Sequence, residues 1–342
     1  MKMNNPIRVS IIPGDYQGCG YYRMMQVMEE MNYTGTEFHL MNLGPATLVN
    51  AGQDVTYCQR VCTEGGFKQL EELKNKSNIK IIIDYDDIVW NGKAYKLHNY
   101  NMFLNRYNPD KNMHTMQKYL NNIADKVTCS TEYLKKNLMQ FVDEDKITVI
   151  QNHLRIRDWL FDTTTYIPND DIFFYAGSSS HYNNEKKQYG DFDIPLANYL
   201  KDKKVVFQGD NPPFFMKPIA NIGWTNLNFY PKSIYNNTRN VKFTLAPLTD
   251  NEFNRCKSDL KYLESCAIGR VCLVSDFENS PYHNAHELQK IPLNASIGQI
   301  RDIVENAKNH YSEILKYQYE YLQNRWLHKH LDEYERLFGE WN

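Results

Sequence analysis

The sequence predicts an α/β protein made of two units, each a parallel sheet covered by helices, with a cleft between them. Three observations predict it. Short apolar runs of strand type alternate with helical patterns, as parallel sheets require. The alternation stops at Asn152–Asp170, a stretch rich in Thr, Asp and Pro, and then begins again. The length, 342 residues, is about twice that of an ordinary single domain.

Ile7–Pro13 reads as a buried strand, followed by the loop Gly14–Gly20 and a helix running through Tyr22, Met25 and Met28. Strands are expected at Thr36–Met41, Ile79–Asp84, Lys126–Cys129 and Thr148–Ile150. Helical patterns around Gly66–Lys76, His114–Ala124 and Thr131–Phe141 separate them. In the second half, strands are expected at Ile172–Ala176, Val205–Gln208, Val241–Ala246 and Val271–Ser275, with helices near Ile194–Leu200, Lys232–Asn237 and Lys257–Ala267. From Ile297 onward the spacing of Ile300, Ile303, Val304, Ala307, Tyr311, Ile314 and Leu315 predicts one long amphipathic helix reaching almost to the end.

A net charge of −2 gives no support to extended non-specific nucleic-acid binding and leaves room only for a local basic patch. The seven cysteines are dispersed without a C-x-x-C pair, which fits reduced thiols in a cytoplasm. No apolar run is long enough for a signal peptide or a membrane span, so a soluble cytoplasmic protein is expected, in a host cytoplasm if the source is viral. Cys and His nowhere cluster at zinc-ligand spacing, and no G-x-S-x-G elbow is present.

The segment with most chemical content is Leu245–Gly269, where an apolar strand runs into a polar loop and then a helix. Leu260, Leu263 and Ala267 mark the buried helix face, and Gly269 ends it. Ligands of open α/β sheets bind at the carboxyl ends of strands, and helix starts attract anions, so Lys257 and Ser258 are placed for a phosphate. Glu264, about two helical turns beyond Lys257, projects from roughly the same side and could grip a pair of sugar hydroxyls. The hydroxyl-rich turn Gly177-Ser178-Ser-Ser-His181 follows another strand and offers further donors to phosphate, or is a solvent loop. Gly18 and Gly20 make the first loop either a ligand loop or a tight turn, with Arg23 facing an anion or solvent. Asp84-Tyr-Asp86-Asp87 ends a buried strand with three carboxylates, which could cap a helix, act on a substrate hydroxyl or hold a divalent metal.

Leu245-Ala-Pro-Leu248, Asp250-Asn-Glu-Phe-Asn254, Lys257-Ser258, Leu260-Lys-Tyr-Leu-Glu264 and Gly269 together resemble the nucleotide-sugar-binding segment of GT-B fold glycosyltransferases, of the branch common in bacteriophages and bacterial surface-sugar clusters. Weaker echoes lie at Gly18-Cys-Gly-Tyr-Tyr-Arg23, Asp84–Asp87, Ser130–Leu134, Ile150–Asn152 and Ala176-Gly-Ser178 with His181. The resemblance implies two Rossmann-like domains, 1–160 for acceptor and 161–320 for donor, with a last helix in 321–342 returning to the first. It implies that Glu264 binds the donor ribose, that Lys257 and Ser258 bind the diphosphate with Ser178 and His181 opposite, and that Asn254 lies near the transferred sugar. Gly18, Gly20, Arg23 and Gly177 complete the expected donor site. Relatives with a Glu-x7-Glu pair carry a carboxylate where this chain has Cys256, so Asp250 or Glu252 would have to replace it.

The implied reaction moves a sugar from a nucleotide-diphosphate donor, expected to be UDP-linked, to an acceptor hydroxyl, with no cofactor or metal. Asp87 or Asp15 would be the base of an inverting enzyme, whereas a retaining one needs none. The expected acceptor is a hydroxymethylated base in viral duplex DNA, with surface polysaccharide or protein as the alternative. The competing readings are a GT-A enzyme holding a metal on Asp84 and Asp86, and a non-catalytic nucleotide-sugar-binding protein.

Overall fold

A computed structural model describes residues 6–16, 18–42, 52–91, 108–159, 161, 168, 170–178, 181–225 and 230–340. Strands β1 (Ile7–Ile12), β2 (Phe38–Asn42), β3 (Val55–Gln59), β4 (Lys80–Tyr85), β5 (Lys126–Cys129) and β6 (Ile147–Val149) form one sheet, in the order β2-β1-β3-β4-β5-β6. Strands β7 (Ile172–Ala176), β8 (Lys204–Gln208), β9 (Ala220–Ile222), β10 (Phe243–Ala246), β11 (Val271–Asp276) and β12 (Lys290–Pro292) form the other, in the order β12-β11-β10-β7-β8-β9. Every strand pair in both sheets is parallel.

Parallel sheets are buried on both faces, and the alternation of side chains shows it. Ile81 and Ile83 of β4 join one core while Ile82 joins another with Val9, Ile11 and Tyr57. In the second sheet Phe173 and Phe174 part in the same way. The helices on these faces are α1, which passes from Gly18–Gly20 through a π-helical turn at Tyr21–Met25 into Gln26–Thr34, then α2 (Glu64–Lys76), α3 (Pro109–Ile123) and α4 (Glu132–Leu138). After the short α5 (Ile156–Trp159) come α6 (Ile194–Leu200), α7 (Tyr230–Asn237), α8 (Glu252–Arg255), α9 (Leu260–Ala267), α10 (Ile297–Asn309), α11 (Tyr311–Gln323) and α12 (Leu331–Gly339). Capping residues set their starts: Thr63, Thr131 and Ser296 each accept a backbone N–H of the first turn.

Several elements differ from the sequence expectation, among them β9 and β12, three-residue edge strands too short to read as apolar runs. β3 lies at the centre of the first sheet, yet its sequence, Val-Thr-Tyr-Cys-Gln, does not read as an apolar run. Its buried polar groups are satisfied sideways, Thr56 by the Ser10 hydroxyl at 2.6 Å and Gln59 by the Gly14 N–H at 3.1 Å. The polar loop expected after the strand at Val241–Ala246 contains α8, capped by Asn251. The next helix begins at Leu260 rather than Lys257, which leaves Lys257 and Ser258 in the connecting loop. The single long helix is broken at His310 and again at Asn324. The first break lets buried Gln318 reach β11, where it accepts the Cys272 N–H at 3.1 Å and donates to the Arg270 carbonyl at 2.9 Å.

The chain passes between the halves twice, and the two passages meet. Leu154 donates to the Arg325 carbonyl at 3.0 Å and accepts from Leu327 at 2.8 Å. Beyond them Leu331, Tyr334, Leu337 and Phe338 of α12 pack into the core of the first sheet, with Phe338 edge-on to Tyr57 at 5.6 Å. Among the described residues no helix is long and apolar enough to cross a membrane.

Candidate active site

Each sheet has a point where strand order reverses, and the loops that leave the carboxyl ends of the two flanking strands open a crevice there. In the first sheet this point lies between β1 and β3, in the second between β7 and β10. The loop after β1 carries Asp15, and the residue after β3 is Arg60. Arg60 is in the left-handed backbone region, φ 56°, a conformation that costs a non-glycine residue about 1–2 kcal/mol. This turn sends its guanidinium over three carboxylates. It forks Asp86 at 2.6 and 2.5 Å and reaches Asp87 at 3.0 Å and Asp15 at 3.4 Å.

The shared cation treats the carboxylates unequally. Burial pushes Asp86 up, but the Arg60 fork more than offsets this and holds the carboxyl below its usual range. Asp87 has a higher proton affinity than usual, because burial and the charges of Asp86 and Asp15 outweigh Lys257 and Arg60. A carboxylate tuned upward in a cleft suits general-base work. Cys19, Asp86 and Asp87 also bring ligand atoms within 4.8 Å of one another, although Arg60 already occupies Asp86.

On the second sheet, the loop after β10 brings Lys257 electrostatically to Asp87 across the crevice. Helix α9 then presents Lys261 and Glu264 on one face. Glu264 accepts the Tyr22 hydroxyl at 2.7 Å from the other half, and burial lifts its carboxyl to about 7. Lys261 has no hydrogen-bond partner on its buried Nζ, which lies 4.8 Å from the centre of the Tyr175 ring. Burial, reinforced by Lys257, lowers this ammonium to about 8, against the pull of Asp191 and Glu264. Lys261 is absent from the sequence expectation, though its place one turn before Glu264 was a usable signal.

The loop after β7 closes this side. A Cβ on Gly177 would sit 2.4 Å from the Tyr175 hydroxyl, so any side chain here would have to displace that buried ring. His181 binds buried Asp191 through Nδ1 at 2.5 Å, and burial with the charges of Lys261 and Lys257 lowers it to about 3. The ring is therefore neutral at pH 7. With Nδ1 as the donor to Asp191, Nε2 carries the lone pair.

Solved structures share this fold at low identity. A glycosyltransferase from Rickettsia africae matches with TM-score 0.62 at 12% identity, covering 98% of both chains. HepE of Anabaena in complex with UDP-glucose gives 0.64 at 8%, again over 98% of each. WaaG, a glycosyltransferase involved in lipopolysaccharide biosynthesis, gives 0.60 at 9% over 97% of this chain and 99% of that one. The fold is GT-B. No protein-family description and no curated protein matches the sequence.

Within this GT-B frame several expected site residues have other work. The anion that Arg23 faces is the chain's own Asp84, at 3.1 and 2.5 Å, deep below the cleft, and Arg23 also donates to the Ile150 carbonyl and Asn152. Asp84 accepts from Thr128 at 2.7 Å as well, so the GT-A reading loses its metal ligands: Asp84 to Arg23, Asp86 to Arg60. Asn254 is fully buried and does not reach the cleft. It donates to Asp191 at 2.9 Å and to the Thr249 carbonyl at 2.8 Å, so it holds the residue that holds His181. The Ser258 oxygen accepts from Asn152 at 2.7 Å, which leaves its own proton for another acceptor.

Gly20 is needed because a Cβ there would meet the Asp15 carbonyl at 1.8 Å, whereas Gly18 faces open space. Ser178 lies beside Gly177 and its carbonyl accepts the His181 N–H at 3.1 Å. Cys256 sits in the core of the first half with Phe253, and its carbonyl accepts from Thr131 at 3.1 Å. A carboxylate would not fit that apolar setting. Asp250 is forked by Arg255 at 2.6 and 2.8 Å, and Glu252 accepts from Asn91 at 2.6 Å.

Proposed function

We propose that the chain is a glycosyltransferase that transfers a sugar from a UDP-linked donor to an acceptor hydroxyl in the cleft between the two sheets. The observation that carries this reading is Lys261, a buried ammonium without a hydrogen bond, between Lys257 and Glu264 at the second switch point. Such a charge is costly unless an anion completes it, and a diphosphate at a strand end is the anion the position suits. The GT-B neighbours bound to UDP and UDP-glucose support the choice of nucleotide.

In this reading Glu264 takes the ribose hydroxyls, as an acceptor-only carboxylate can. Lys261, Lys257, the Ser258 hydroxyl and the turn at Gly177–Ser178 hold the diphosphate. As the bond from the anomeric carbon to the diphosphate breaks, negative charge grows on the leaving phosphate. The two lysines, fixed beforehand in a low-dielectric pocket, stabilise it more in the transition state than in the ground state. Bound diphosphate also raises the proton affinity of His181. Its Nε2 then becomes a donor, with Asp191 and Asn254 keeping the ring oriented. Asp87 is the base for an inverting transfer, and Asp15, on the same guanidinium, sets its charge.

Three carboxylates against one guanidinium make the first switch point acidic. That favours an uncharged sugar acceptor over a DNA backbone, although a flipped hydroxymethylated base carries the same reacting hydroxyl. The test is a panel of UDP-, GDP- and dTDP-sugars against oligosaccharides and hydroxymethylated DNA, read by product mass. A product with UDP-sugar alone supports the reading. Tight UDP binding with neither transfer nor hydrolysis on any acceptor would favour a binding protein.

A further inference from the structure

A second cluster lies at the two passages between the halves rather than at the sheet ends. His153 is 3% exposed, and neither of its ring nitrogens has a hydrogen-bond partner. The nearby Arg325 carbonyl influences the ring only weakly, without reaching hydrogen-bond geometry. The ring stacks on His330, centroids 3.8 Å apart and planes 13° off parallel. His330 places Nε2 2.8 Å from the Asn324 carbonyl, which can only accept, so the proton sits on Nε2. Its other nitrogen, Nδ1, faces the Glu333 carboxylate at 2.8 Å. A shared proton holds this pair together, and a metal ion can take that proton's place.

One ligand atom from each of His153, His330 and Glu333 lies within 4.8 Å of the other two. All three line a cavity of about 1050 Å³ between β6 and α12. We propose that His153, His330 and Glu333 bind a divalent transition-metal ion of the zinc type, with the fourth position open to this cavity. Two imidazoles and a carboxylate suit such an ion at about 2.0–2.2 Å, and a carbonyl behind His330 fixes its tautomer as metal-bound histidines require. Loading turns His153 about its Cβ–Cγ bond out of the stack, because a metal binds in the ring plane. The orphan nitrogen gains its partner, and the ion ties the first passage to the second.

The test is titration of the full chain with cobalt(II) and zinc, followed by visible spectra and thermal melting. One equivalent of cobalt should give the d–d bands of a nitrogen and oxygen site, and zinc should raise the melting temperature. Glu333→Gln and His153→Gln should lose both effects, with circular dichroism checking their fold. If His153→Gln does not fold, Glu333→Gln alone decides, since its carboxyl is partly exposed. No stoichiometric binding, or full binding in Glu333→Gln, overturns the proposal. So does a sulfur-to-cobalt charge-transfer band, which would place the ion on Cys19 with Asp86 and Asp87. None of these readouts depends on donor-sugar binding.

Discussion

Replacing Lys261 with methionine should make the protein more stable and its donor binding much weaker. The ammonium stands at about 8 against an ordinary 10.5. At about 1.4 kcal/mol for each tenfold change in proton affinity, its burial costs the empty protein about 3 kcal/mol at pH 7. The sign follows from linkage. Below the folded value both states hold the proton and the penalty is full; between about 8 and 10.5 the unfolded chain binds more protons, so stability rises with pH. Lys261→Met keeps the length of the side chain and removes the charge, so it should gain up to about 3 kcal/mol in urea unfolding at pH 7 and lose the rise at alkaline pH. The same substitution strips the diphosphate of a buried cation, a loss of about 2–5 kcal/mol, or at least about thirtyfold in the UDP dissociation constant by calorimetry. A variant less stable than the parent, or one binding UDP with parental affinity, would refute the assignment.

Glu264→Gln should abolish a second pH dependence. Its carboxyl stands at about 7 rather than 4.5, so native stability falls as pH rises from about 4.5 to 7, while UDP affinity should increase through about 7 as the carboxylate forms. Calorimetry from about pH 5.5 to 7.5, roughly spanning that value, should lose this rise in the variant; the same rise in both proteins would remove Glu264 from the ribose. Calorimetry in buffers of different ionisation enthalpy should show proton uptake on UDP binding, as neutral His181 becomes charged, and Asp191→Asn should suppress it. The measurement is made on Glu264→Gln at about pH 6, where Glu264 can release no proton and Lys261 is already charged, and equal heats in every buffer there would show that His181 does not change charge. Arg23→Gln leaves Asp84 buried and unpaired, so urea unfolding should lose about 3–5 kcal/mol while the folded fraction binds UDP normally. Unchanged stability with weakened UDP binding would return Arg23 to the ligand.

The strand-to-helix segment after β10 was legible because its chemistry is local: Glu264 and Lys257 are set by helix periodicity and by the end of a strand. Arg23 was not, because its meaning lies in Asp84 and Ile150, which are distant in sequence and meet only when the first sheet forms. β3 escaped because buried Thr56 and Gln59 look solvated until Ser10 and Gly14 are seen beside them. Arg60 gave no signal, since a left-handed backbone at a non-glycine residue has no local mark. Lys261 was given no role, although it stands one turn before Glu264, because nothing local marks a helix lysine as enclosed.

Phe253 and Cys256, which belong by sequence to the second half, complete the apolar core of the first. Asn137 also donates to the Cys256 sulfur at 3.6 Å, and Tyr22 reaches Glu264 from the far side. Chimeras that exchange second halves between proteins of this fold at the connection near residue 160 would therefore cut through a packed core rather than along a seam. A transplanted second half should fold and work only if the recipient also carries the matching surface around Tyr22, Thr131 and Asn137. The smallest exchangeable piece is thus larger than either sheet and discontinuous along the chain.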